Sequence, residues 1–207
     1  MIGFVELSLK KDTDLARHVP HVLPWLHEAG NPYFDWFFGN AQTAQSILGR
    51  WIVRPSSEVS LKRTVVLQED GRIIGGIIGM NGTDLALCRK ADTLALMRDW
   101  PPSDRESIVR RMRESAGLFH IPDAHHYYLS KIGLLPEARR KGFGRMLLEA
   151  FLVKGSAGGF TRFMLDVSAD NALAVKLYMS AGFHVVRESQ HPSGTMTYLS
   201  MILNRQK

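Results

Sequence analysis

Apolar and polar positions alternate over residues 5–9, which reads as a short opening strand that ends at Lys10 and Lys11. Asp12, Thr13 and Asp14 offer an N-cap for a helix from Leu15, along which Val19, Val22, Leu23 and Leu26 recur at helical spacing. Pro20 and Pro24 predict that this helix is kinked or split, and Gly30-Asn31-Pro32 ends it. After the aromatic run Tyr33 to Phe38, a second helix is expected over 41–53. Residues 63–68 and 72–80 read as two strands around the tight turn Glu69-Asp70-Gly71, a hairpin signal. The block 81–124 is less regular. It predicts a helix over 91–99, a break at Pro101-Pro102, and a helix over 103–117 with Ser103 and Glu106 spaced as a capping box. A strong strand follows at 125–135. Then come a glycine loop, a helix in which Met146, Leu147, Ala150, Phe151 and Lys154 step by three or four, and a strand at 162–167. A helix at 171–181 and strands at 183–188 and 195–203 complete the chain. The order β-α-α-β-β-(insert)-β-α-β-α-β-β predicts one mixed α/β domain over 1–207, with an insert at about 81–124.

Composition narrows the function. The chain has 207 residues, 45% of them hydrophobic and 22% charged, which suits a single globular domain with a proper core. No apolar run approaches a membrane span, and residues 1–11 do not have the pattern of a secretory signal. The single Cys88 rules out an intrachain disulfide framework and a cysteine metal cluster, so a cytoplasmic setting is expected. Net charge is +6, which admits nucleic acid or a phosphorylated small ligand as partner. The densest basic cluster is Arg139, Arg140, Lys141 and Arg145. It is broken by glycines and runs into an apolar helix, which favours the small ligand over a nucleic-acid duplex.

That cluster lies in a strand–loop–helix segment, Ile132-Gly-Leu-Leu-Pro-Glu-Ala-Arg139-Arg-Lys-Gly142-Phe-Gly144-Arg145. Unpaired N–H groups at a helix start attract an anion, and glycine at 142 and 144 lets backbone approach a phosphate closely. The segment can thus cradle a pyrophosphate; the blander reading is a βα turn with solvated cations. Neither a Rossmann G-x-G-x-x-G after the first strand nor a P-loop is present.

At this point the sequence resembles the GCN5-related N-acetyltransferase superfamily. Leu134-Leu-Pro136-Glu-Ala-Arg139-Arg-Lys-Gly142-Phe-Gly144 is similar to that family's acetyl-CoA signature. Downstream, Asn171-Ala-Leu-Ala174-Val-Lys-Leu177-Tyr178-Met-Ser-Ala-Gly182-Phe183 fits N-x-x-A-x-x-L-Y-x-x-x-G-F. The resemblance implies a single, mostly antiparallel twisted sheet with flanking helices, and acetyl-CoA as cosubstrate without a metal. It places Ile132, Gly133 and Leu134 along the pantetheine arm, with the Ile132 N–H polarising the acetyl carbonyl. It places Arg139, Arg140, Lys141, Gly142, Phe143, Gly144 and Arg145 around the pyrophosphate. Asn171 would cap its helix and meet the arm, and Tyr178 would protonate the leaving thiolate; packing alone is the alternative use for each. Arg140 stands where many members have Gly, and the 81–124 insert separates strands often joined directly.

The general base is open. Tyr128 occupies the place of the histone-type branch's glutamate, and Glu58, Asp123, His125 and His126 are loose alternatives beside a structural use of each. Adjacent His125 and His126 would face opposite sides of a strand, which argues against a shared metal. The aromatic cluster Tyr33, Phe34, Trp36, Phe37 and Phe38 is expected to pack, or to wall an acceptor pocket. The activity implied is direct acetyl transfer to a primary amine of a small molecule. The alternatives are a protein lysine or N-terminal acetyltransferase, and a non-catalytic acyl-CoA-binding module. No nucleic acid or membrane partner is expected, and the chain would be a monomer or homodimer.

Overall fold

A computed structural model of the chain describes residues 1–7 and 15–206. The expected cap at 12–14 lies outside the described residues. The described strands form one seven-stranded sheet in the order β1-β2-β3-β4-β5-β7-β6. They are β1 (Ile2–Glu6), β2 (Thr64–Glu69), β3 (Arg72–Asn81), β4 (His126–Leu134), β5 (Arg162–Ser168), β6 (His184–Gln190) and β7 (Thr197–Asn204). The helices are α1 (Val19–Ala29), α2 (Tyr33–Phe38), α3 (Ala41–Trp51), α4 (Gly82–Asp99), α5 (Arg105–Glu114), α6 (Phe143–Ala157) and α7 (Ala172–Ser180). Every strand pair is antiparallel except β4–β5.

Pairing explains where the expected boundaries shift. The first strand is seen at 2–6, where the register Ile2↔Glu69 to Glu6↔Val65 sets its span against β2; residues 8 and 9 of the expected 5–9 lie outside the described residues. Leu7, just beyond it, is already buried in the core. The helix of Pro20 and Pro24 is not split: Pro20 falls in its first turn, where no N–H is needed, and α1 runs through Pro24 to Ala29. In the insert, α4 starts at Gly82 rather than 91, capped by the Asn81 side chain, which accepts from the Asp84 N–H at 2.8 Å. The expected capping box is not formed. Ser103 sits in a 3-10 turn before α5, and the capping residue Asp104 instead accepts from Trp100 Nε1 at 3.2 Å.

Two apolar clusters flank the sheet, and alternate residues of β3 feed both. Ile73 and Ile78 join Trp25, Leu26 and Leu48 on one side. Ile74 and Ile77 join Leu147, Phe151 and Leu152 on the other. The cross-strand partners Gly76 and Gly133 let α1 lie directly on the sheet. A Cβ at Gly133 would stand 2.7 Å from the Trp25 carbonyl oxygen, and one at Gly76 would stand 2.8 Å from the Trp25 ring. This close approach brings the end of α1 to the open edge of β4.

Candidate active site

β4 and β5 pair in parallel only from His126↔Arg162 to Leu129↔Leu165. Beyond Leu129, β4 stays with β3 while β5 stays with β7, so a wedge opens between them. The pairing with β3 skips Ser130, a bulge at the point of divergence. Backbone N–H groups point alternately to the two edges of a strand. The Leu135 N–H donates to the Ile74 carbonyl at 2.8 Å on the β3 side. Counting back, the N–H groups of Ile132 and Leu134 face the wedge. The family resemblance implies a pantetheine arm along this stretch of backbone edge.

The wedge belongs to a cavity of about 830 Å³. At one end lies the loop before α6. The N–H groups of residues 140 to 144 make no backbone hydrogen bond of normal geometry among the described residues, and they lie at the start of α6. Gly142 holds φ at +84°, and a Cβ there would meet nothing within 4 Å, so the space in front of it is open. Arg140 also has positive φ, at 60°, which explains why glycine suits this position. Arg139 lines the cavity but is committed to protein. It donates to the Leu134 carbonyl from Nε at 3.2 Å and from Nη2 at 3.0 Å, and pairs with Glu28 at 2.5 Å, tying α1 to the loop. Ile132, Gly133, Leu134, Arg140, Gly142, Gly144, Arg145 and Asn171 line the cavity too, whereas Lys141 and Phe143 do not.

Tyr178, on α7, lines the cavity and is buried. Its hydroxyl bonds no protein group among the described residues, so it does not anchor its own helix. Burial raises its pKa well above that of a free phenol, which keeps the proton on the oxygen. Asn171 caps α7, accepting from the Ala174 N–H at 3.1 Å.

A continuous polar wall faces the other part of the cavity, and most of it was not read from the sequence. Glu58 accepts from Ser130 Oγ at 2.5 Å, from Arg89 Nε at 3.1 Å and from Lys131 Nζ at 3.5 Å. Burial alone would raise the Glu58 carboxyl, but the two cations and these hydrogen bonds outweigh it and bring it down to about 2. Burial lowers the Lys131 ammonium against the pull of Glu58. Arg89 Nη2 donates to the Tyr128 hydroxyl at 3.5 Å, and Tyr128 donates to Asp166 Oδ2 at 2.8 Å. Ser200 Oγ donates to Asp166 Oδ1 at 2.5 Å. Burial and then Asp166 raise Tyr128 strongly, so it stays protonated. Charged residues in mid-strand, Lys131 and Asp166, were the available sequence signal; for Arg89 and Asp92 on α4 there was none.

Of the loose base alternatives, only Glu58 reaches this cavity. His126 pairs with Asp123 at 2.7 Å at the opposite end of β4, and His125 is exposed. No cluster of three or more His, Cys, Asp or Glu side chains fit to hold a metal occurs among the described residues. Cys88 is buried in α4, and burial raises its thiol, which does not suit a nucleophile.

A mixed sheet with a splayed parallel pair, leading into an anion-cradling helix start, defines an acyl-CoA N-acyltransferase-type fold. The chain belongs to the acetyltransferase (GNAT) family, whose model matches residues 23–183. Over 67 residues it is 37% identical to the [ribosomal protein bS18]-alanine N-acetyltransferase of Salmonella typhimurium, a match spanning 31% of this chain and 45% of that protein. The Escherichia coli K12 protein of the same name is 36% identical over 67 residues, again 31% of this chain and 45% of that one. Among solved structures, an N-acetyltransferase from Staphylococcus aureus Mu50 matches with a TM-score of 0.64 at 17% identity, covering 98% of this chain and 100% of that one. The Escherichia coli ribosomal-protein-S18-alanine N-acetyltransferase matches with a TM-score of 0.54 at 17% identity, covering 100% of this chain and 96% of that one. These structural likenesses show the fold.

Proposed function

We propose that the chain is an acetyl-CoA-dependent N-acetyltransferase that passes acetyl directly to the primary amine of a small molecule. The observation that carries this reading is the joining of the unpaired N–H run at 140–144, the free Ile132 edge and the Tyr178 hydroxyl in one cavity. The amides of 140–144, with Arg140 and Arg145, would bind the pyrophosphate. The wedge edge at Ile132 and Leu134 would pair with the pantetheine arm as an added strand does. The Ile132 N–H would donate to the thioester oxygen as negative charge develops there. As the amine attacks and the C–S bond breaks, Tyr178 would donate its proton to the departing sulfur. Glu58, held near 2, is a weak proton acceptor for the amine, and the free oxygen of Asp92 is shielded from solvent, so neither is assigned as the base.

The small acceptor is favoured by enclosure. The helices of the insert, α4 and α5, contribute Arg89, Leu96 and Met112 to the cavity wall. The similarity to bS18-alanine acetyltransferases supports N-terminal alanine of a protein as the second reading, over the 67 matched residues. The single buried Cys88 fits a reducing cytoplasmic setting. No described helix is long and apolar enough to cross a membrane. The test is release of free coenzyme A thiol from acetyl-CoA over a panel of small amines and peptides with free N-termini or lysines. Turnover confined to small amines supports the proposal; turnover confined to peptides refutes the small acceptor. Binding of acetyl-CoA without turnover on any amine would leave a non-catalytic module.

A further inference from the structure

The same cavity also has an apolar chamber in its lining. Phe34, Phe37 and Phe38 come from α2, Trp51 from α3, Leu96 from α4 and Met112 from α5. Its aromatic members pack on one another: Phe37 and Phe38 edge to face at 5.1 Å, and Phe38 and Trp51 edge to face at 5.7 Å. The three phenylalanines and Leu96 are buried, so the chamber is a lined interior rather than an exposed patch. Ser130, Lys131 and Ile132, beside which the acceptor nitrogen must arrive, line the same cavity. The charged groups of the polar wall already have partners. Glu58 is shared by Arg89 and Lys131, and Asp166 takes the hydroxyl protons of Tyr128 and Ser200. Asp92 Oδ1 has no donor among the described residues and is shielded from solvent, with the Arg54 charge acting on the same carboxyl, and Glu28 at the cavity pairs with Arg139.

We propose that the acceptor is a primary monoamine on a large apolar or aromatic body, which fills the chamber of α2 to α5 while its nitrogen stands at the β4 bulge. This rests on the acetyltransferase reading above and adds the substrate class. A polycationic acceptor would need several unpaired carboxylates along the wall, and a peptide would need an open groove. An apolar body needs what the chamber offers, a dry and aromatic lining. The same lining desolvates the ammonium and so helps the amine lose its proton before attack.

The experiment compares 2-phenylethylamine, ethylamine, 1,4-diaminobutane and a lysine peptide as acceptors for acetyl-CoA, by thiol release. 2-Phenylethylamine is expected to exceed ethylamine and the diamine by at least about tenfold in kcat/KM. Met112→Trp and the milder Leu96→Phe fill the chamber and should collapse that ratio; acetyl-CoA affinity, measured by calorimetry alongside, reports that the fold is intact. Equal use of ethylamine, or preference for the diamine or peptide, overturns the proposal. So does a filled chamber that leaves the amine ratio unchanged but alters selection between acetyl-CoA and hexanoyl-CoA, since the occupant would then be an acyl tail. If no amine is acetylated, the acetyltransferase reading itself fails. Calorimetric titration of 2-phenylethylamine into the coenzyme A-loaded protein then decides the chamber separately: binding that Met112→Trp weakens supports it, and no binding overturns it.

Discussion

Asp92 Oδ2 accepts the Glu58 backbone N–H at 2.9 Å, so a helix of the insert holds the residue at the centre of the polar wall. Ser57 Oγ donates to the same oxygen at 3.1 Å. The insert is thereby part of the site and not an appendage to it. It brings Arg89 onto Glu58, Asp92 under Glu58, and Leu96 and Met112 into the apolar chamber.

Asp92 carries an energetic cost that pH should reveal. Burial pushes its carboxyl from 3.8 up to about 6, with the Glu58 and Ser57 hydrogen bonds opposing. The folded state therefore binds this proton more tightly than the unfolded chain. The stabilisation from the protonated form is full below about pH 4 and is lost as pH rises through 6. Asp92→Asn keeps an acceptor for Ser57 and Glu58 and removes the charge. Relative to wild type, the variant should gain about 1–3 kcal/mol in stability between pH 4 and pH 7.5. Urea titrations across that range measure it; a difference that stays flat with pH would show that solvent or Arg54 already compensates the charge.

Glu58 should behave in the opposite sense. Its carboxyl is lowered from 4.5 to about 2, so its contribution is complete above about pH 4.5 and disappears as pH falls through 2. Glu58→Gln leaves Arg89 and Lys131 without a countercharge. Removing one member of a buried ion pair is costly, and the partial exposure of Arg89 reduces the effect to about 2–3 kcal/mol. Denaturant midpoints at pH 7 for wild type and variant test this. A loss below about 0.5 kcal/mol would place the cluster in the class of screened surface pairs.

The cradle gives a prediction in which binding and stability separate. At Gly142, φ of +84° makes any side chain strained, by about 1 kcal/mol, although the space before it is open. A glutamate there would also put negative charge before the unpaired amides. Gly142→Glu should thus lose acetyl-CoA affinity by at least about 100-fold, from like-charge repulsion and occlusion, with only a small fall in Tm. Calorimetry with acetyl-CoA reads the affinity; wild-type affinity in the variant would remove this loop from phosphate binding.

Legibility in the sequence followed periodicity. The hairpin of β2 and β3, the strand β4 and the helix after the glycine loop stand where alternation and glycine punctuation put them. The insert did not announce itself, because α4 hides its pattern: Gly82, Cys88 and Asp92 are buried while Leu87 and Leu94 are exposed. A helix enclosed by other elements carries no clean apolar stripe. The loop and the Tyr178 helix stood out because each resembles a family motif that is contiguous in sequence. The Glu58–Arg89–Tyr128–Asp166 wall was not, because its members lie on four separate elements that only the folded sheet and insert bring together.

Tyr178 offers the sharpest separation of chemistry from structure. The residue is buried and lines the cavity, and its hydroxyl bonds no protein group among the described residues. Deleting that oxygen removes no internal hydrogen bond, so Tyr178→Phe should be about as stable as wild type. The ring still packs against Phe183, at 6.1 Å between centroids, so the α7 wall of the cavity keeps its shape. Loss of a proton donor to the departing sulfur costs about 10²-fold in kcat, by the usual worth of general acid catalysis. Acetyl-CoA affinity should change little, and the deficit should shrink with an acyl donor whose thiol is more acidic, because such a leaving group needs less protonation. Steady-state kinetics on acetyl-CoA and on an acetyl thioester of a low-pKa thiol make the comparison. An equal deficit on both donors, or wild-type kcat in the variant, would show that Tyr178 only shapes the wall.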